Sequence, residues 1–154
     1  MLRDKLIFGA LAGVVADLVM NIPELILWKL ENLGHPLFHH AGSLLLPLEF
    51  VHENFLGAFL GFIAGKVYGA FLGIVFIALL VYTGDRYSRT KGLIYGAFLW
   101  LASYSGLASL PIVKLSAHPR TPVEVFLFLL LHLLFGFALG VIARWFDWRP
   151  KTQV

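Results

Sequence analysis

Cysteine is absent from this 154-residue chain, and charge is scarce: 14% of the residues are Asp, Glu, Lys or Arg, against roughly 25% in an average globular domain. Without a thiol the chain forms no disulfide and offers no thiolate ligand to zinc, an iron–sulfur cluster or haem. A small chain has a large surface to cover, and this one has too few charges to cover it in water. Soluble enzymes, disordered tails and nucleic-acid modules are excluded on the same ground, and no nucleic-acid partner is expected. Catalytic signatures are lacking as well. No nucleophile elbow, phosphate loop, HExxH or dinucleotide fingerprint occurs, so the reading leans away from an enzyme.

What the chain has is apolar length: 59% of its residues are hydrophobic and its mean hydropathy is +0.82. Four stretches, about 6–30, 55–82, 92–113 and 123–145, are long enough to cross a bilayer as helices, for which about 20 residues suffice. Their continuous apolarity is not the alternation of a β-barrel strand. The expected fold is an all-α integral membrane protein: a single four-transmembrane-helix bundle over residues 1–154, with an outer loop at about 31–54 and the lipid bilayer as its first partner. The first span follows Arg3 and Lys5 as a signal peptide would. Asp17, Asn21 and Glu24 interrupt it, however, and it is expected to be retained.

Arg3, Lys5, Arg86, Arg89, Lys91, Arg144, Arg149 and Lys151 fall on one side of these spans. Lys29, Lys114 and Arg120 fall on the other. Basic residues mark the cytoplasmic side, so both termini are expected there, in a bacterial-type plasma (inner) membrane. All the glutamates, and every histidine except His132, lie in the opposite half.

Glycine is patterned. Gly57, Gly61, Gly65, Gly69 and Gly73 recur every fourth residue in the second span; Gly9 and Gly13 do so in the first, Gly92 and Gly96 in the third, and Gly136 and Gly140 in the fourth. Small residues at this spacing let helix backbones approach closely, and a homo-oligomer or a larger membrane complex is a second use for such rows. Leu6–Leu11 resembles Leu93–Phe98, and Leu60–Ala64 resembles Leu139–Ala143. These likenesses suggest a tandem repeat of two helical hairpins.

Three ionisable groups have no anchoring explanation: Asp17, Lys66 and His132 lie near the middle of spans one, two and four. An Asp or Lys at that depth costs about 2.5–3.5 kcal/mol even on insertion scales, so each is expected to face the bundle interior and to pair. An Asp17–Lys66 pair with His132 as a relay, and with Asn21 and Glu24 toward the outer mouth, would serve proton or ion transport. A second reading takes the chain as a scaffold packed through its glycines. A third is a metal-binding bundle: Glu49, His52 and Glu53 form E-x-x-H-E, expected at the head of the second span. Glu and His three apart share a helix face, as in carboxylate-bridged metal bundles. With Glu124, Glu24 and the His39–His40 pair they are candidate ligands for a divalent metal, and no other cofactor is expected.

The order of Ala12-Gly13-Val14-Val15, then His52, then Gly92–Ala97 with Pro111, then Glu124 and His132 resembles that in small bacterial inner-membrane proteins of the YagU type. That poorly characterised family is associated with acid tolerance. The resemblance implies envelope proton handling.

Overall fold

The computed structural model describes residues 4–103 and 121–146, and every regular element in them is helical. These are α1 (Lys5–Lys29), α2 (Leu37–Ser43), α3 (Leu48–Glu53), α4 (Phe55–Thr83), α5 (Ser88–Leu101) and α6 (Pro122–Ile142). A 3₁₀ turn, Ala143–Trp145, extends α6. Three helical stretches, Lys5–Lys29, Phe55–Thr83 and Pro122–Trp145, are long and apolar enough to cross a membrane. Of the expected third span, α5 supplies the helix as far as Leu101. Its continuation, with Tyr104, Ser105, Gly106, Ser109 and Pro111, lies outside the described residues.

Each long helix starts where a polar side chain supplies the acceptor that its first amides lack. Asp4 accepts from Leu6 N at 2.8 Å and Ile7 N at 3.0 Å. Asn54 accepts from Leu56 N at 2.9 Å. Thr121 accepts from Glu124 N at 3.2 Å, with Pro122 at the first helical position. α4 ends at Gly84, whose φ of 82° is one that glycine adopts without strain. The Lys91 ammonium then donates to the Thr83 and Gly84 carbonyls, each at 2.8 Å, placing a cation at a helix C-terminus.

One sequence expectation needs correction here. The stretch 31–54 is not a plain loop, and Glu49, His52 and Glu53 do not head the second span. They belong to α3, a separate helix. Asn54 is extended, with φ −113° and ψ 129°, so the four-residue row from Glu49 through Glu53 into Gly57 is broken before α4 begins.

Two antiparallel pairs make up the bundle. In the first, α1 crosses α4 with Gly9 and Gly13 against Gly69 and Gly73. A Cβ on Gly13 would overlap the Gly69 carbonyl, and one on Gly73 would overlap the Gly9 carbonyl. In the second, α5 crosses α6 with Gly92 and Gly96 against Gly136, Gly140 and the His132 carbonyl. Ser88 Oγ donates to the Gly140 carbonyl at 2.8 Å in the same seam. The pairs are joined by a shared core that includes Phe76, Leu80, Tyr95, Phe128 and Leu139. Phe8 packs tilted against Phe146 at 4.8 Å between ring centres, and the Tyr95 hydroxyl donates to the Leu72 carbonyl at 2.9 Å.

The short helices cover one end. α2 lies on α4 with Gly42 against Gly61 and Phe38 against Gly61 and Gly65, while α3 lies on Gly57. The glycines of α4 thus serve two partners in succession, the cap first and α1 below it. Outward, Leu6, Leu11, Ile22, Val67, Phe71 and Phe98 are exposed, an apolar circumference that water would not tolerate but lipid would.

Candidate functional site

Asp17, Asn21 and Glu24 recur at four and three residues along α1, so they share the face turned toward α4. All three are buried, and Glu24 is 0% exposed. Gly69 makes room for this face: a Cβ there would meet the Asp17 Cβ at 2.9 Å. One turn before Gly69, Lys66 reaches across and its ammonium bonds the Asp17 carboxylate. The Lys66 nitrogen also lies 4.5 Å from the centre of the Phe62 ring, an arrangement that attracts a cation electrostatically.

Asn21 continues the chain of contacts. With its amide oxygen toward Lys66, the orientation that satisfies both amide atoms, its oxygen accepts from Lys66 Nζ and its nitrogen donates to Glu24 Oε2 at 3.1 Å. The other Glu24 oxygen accepts from Leu37 N, the first amide of α2. That amide has no acceptor within its own helix, so Glu24 caps the short helix. Lys66, Asp17, Asn21, Glu24 and the start of α2 therefore form a continuous polar line. From Asp17 to Glu24 it covers roughly 10 Å along α1 at 1.5 Å per residue.

His132 is not part of this line. Its Nδ1 lies 2.7 Å from the Phe128 carbonyl, one turn back on its own helix, and its own carbonyl packs against Gly96. Among the described residues, no hydrogen bond or ion pair joins it to Asp17 or Lys66. A histidine within a helix can place one ring nitrogen on the carbonyl four residues earlier.

The capped end carries the second group of polar side chains. Glu124 accepts from Gly34 N at 2.9 Å and so ties the 31–36 segment to the start of α6. His35, just before α2, His39, in its first turn, and His52, in α3, each bring one ring nitrogen within 4.8 Å of the others. Trp28, at the end of α1, stands edge-on to His39 at 5.5 Å and to His52 at 6.3 Å between ring centres. Burial, together with neighbouring imidazoles, pulls His39 down to about 4, and burial does the same to His40. Both rings are therefore neutral at pH 7.

His52 thus meets His35 and His39. Glu49 and Glu53, the metal candidates nearest to it in sequence, are exposed on α3, and Glu124 is engaged with Gly34. The His35–His39 part of this cluster gives little sequence signal, because its spacing of four straddles Pro36. The available clue is that Pro36 starts a helix, which puts His35 at its threshold and His39 one turn in.

At the opposite end Arg86, Arg89 and Arg144 line an open cavity of about 560 Å³ with Asp85, Tyr87, Ser88 and Thr90. Comparison with protein-family models, with curated proteins and with solved structures finds no match. The described residues are all-helical in their regular elements, with three helices long and apolar enough to span a membrane, compatible with a multi-pass membrane protein.

Proposed function

We propose that this chain is a small multi-pass membrane protein that handles protons or small cations through the Lys66–Asp17–Asn21–Glu24 line. The carrying observation is that ionisable side chains and one amide are bonded in sequence between α1 and α4, along two helices whose outward faces are apolar. Ionisable groups at such depth are expensive and usually mark a path or a binding site. The line reaches the capped end, where the glutamates and, among the described residues, His35, His39, His40 and His52 lie, whereas Lys5, Arg86, Arg89, Lys91 and Arg144 gather at the other. By the positive-inside rule the cap faces outward and the termini inward, in a bacterial-type inner membrane. The resemblance to YagU-type proteins, with its association with acid tolerance, agrees with this role.

The two glycine crossings support the tandem-hairpin reading, α1/α4 and α5/α6 being equivalent units. Its sequence alignment fits less well, since Gly61 packs on α2 and Gly140 on α5. The crossings also bear on the scaffold reading. Gly9, Gly13, Gly69, Gly73, Gly136 and Gly140 are occupied by this chain's own backbone, so a homo-oligomer would need another surface.

The test is flux in liposomes. Protein reconstituted with a trapped pH-sensitive dye should dissipate an imposed proton gradient, and Asp17→Asn should reduce the rate to that of empty liposomes. An unchanged rate in Asp17→Asn would remove Asp17 from the mechanism.

A further inference from the structure

We propose that His35, His39 and His52 form a three-imidazole site for a zinc-class transition-metal ion at the capped end of the bundle. Their ring centres are 5.1 Å (His35–His52), 5.3 Å (His39–His52) and 6.0 Å (His35–His39) apart. Zinc–nitrogen bonds of about 2.0–2.1 Å, extended to the ring centres, set three tetrahedrally placed imidazoles roughly 5.2 Å apart. Two of the three separations already agree with that figure. The third closes with a small rotation of His35, which stands outside α2 and ahead of Pro36.

The donor set selects the ion. Three imidazole nitrogens with no carboxylate among them suit zinc, copper, cobalt or nickel, while calcium and magnesium require oxygen ligands. Thiolate competition is absent because the chain has no cysteine. The site has a closed side and an open one. His39 is 2% exposed and lies beside Trp28, whereas His52 is exposed. An ion therefore enters past His52 and keeps a fourth position for water, as three-histidine zinc sites do.

Hydrogen bonding among the described residues does not account for His39. The buried Nδ1 of His39 has no hydrogen-bond partner among the described residues, and leaving such an atom unpaired costs about 1–3 kcal/mol. The fold also brings the rings together from three places in the chain. α2 and α3 pack side by side on the first turns of α4 through Gly42, Gly57 and Gly61, and Glu24 fixes the start of α2. This site is separate from the polar line: it shares no residue with Lys66, Asp17, Asn21 or Glu24, and its test does not read flux.

The experiment uses tag-free protein in detergent or nanodiscs, titrated with Co²⁺ and then with Zn²⁺. One Co²⁺ per chain should give the visible band of a four-coordinate ion, which Zn²⁺ then displaces. His52→Ala and His35→Ala should each weaken binding by at least about tenfold, as even loss of an outer-shell partner can. Glu49→Gln and Glu53→Gln should bind as the parent does. Because His39 is buried, His39→Ala risks disturbing the cap; exposed His52 keeps the test decisive. Absence of the band in the parent protein, or undiminished binding in His52→Ala, overturns the proposal.

Discussion

The two helix crossings solve one packing problem with different chemistry. Between α5 and α6, backbones meet through Gly92, Gly96, Gly136 and Gly140, and the polar partner in the seam is Ser88, which bonds a carbonyl. Between α1 and α4, Gly9, Gly13, Gly69 and Gly73 provide a comparable approach, and Asp17 and Lys66 stand directly beside it. The first crossing shows that close packing of such helices needs no ionised side chain. The charges in the second are therefore surplus to packing, and their desolvation opposes folding unless pairing offsets it. We propose that they serve passage rather than assembly.

The largest effect should be common to both crossings. Gly13→Leu and Gly136→Leu each drive a side chain into a facing carbonyl, and each should cost about 3 kcal/mol or more. Loss of helical signal and of a cooperative thermal transition in detergent would register it. If one crossing tolerated leucine and the other did not, the two would not be equivalent.

Next comes a substitution that separates them. Lys66→Met leaves Asp17 buried without its cation and should cost about 3–5 kcal/mol, whereas replacing both partners by neutral residues should be near neutral. Denaturant titration of single and double variants measures the difference. Glu24→Gln should have a smaller effect, about 1–2 kcal/mol, by weakening the buried bond to Leu37 N. Its readout is local: faster hydrogen exchange at Leu37 and the rest of α2, with α5 and α6 unchanged.

The smallest effect is expected at Gly65. A methyl group there meets Phe38 at an ordinary 3.8 Å, so Gly65→Ala should change stability by less than about 1 kcal/mol. Gly69→Ala, one turn further on against Asp17, should be clearly destabilising in the same melt. The contrast tests whether the glycine row has one function throughout or changes partner along its length.

Much of the fold was legible in the sequence because lipid imposes a simple rule on it. α1, α4 and α6 begin and end within a few residues of the apolar stretches, since runs of that length have one way to satisfy their backbone in a membrane. Asp17 and Lys66 were legible as a pair for the same reason: each interrupts an apolar run with a charge-bearing side chain of opposite sign. The capped end was not legible. Pro36 and Pro47 read as breakers, yet each precedes a short helix, and nothing local in 31–54 says that these helices fold back on Gly57 and Gly61. E-x-x-H-E directed attention to Glu49 and Glu53, whereas His52 is brought to His35 and His39 by tertiary packing. For His132 the depth was legible, but not that its Nδ1 lies against the Phe128 carbonyl of its own helix.

The central claim is that the Asp17–Lys66 pair exists for passage through the membrane and not for holding α1 against α4. The most direct measurement is proton flux through liposomes containing the double variant Asp17→Asn/Lys66→Met, first shown by its melting transition to be folded. A folded protein whose flux falls to that of empty liposomes is the predicted result. A folded double variant that conducts as the parent does would contradict the account.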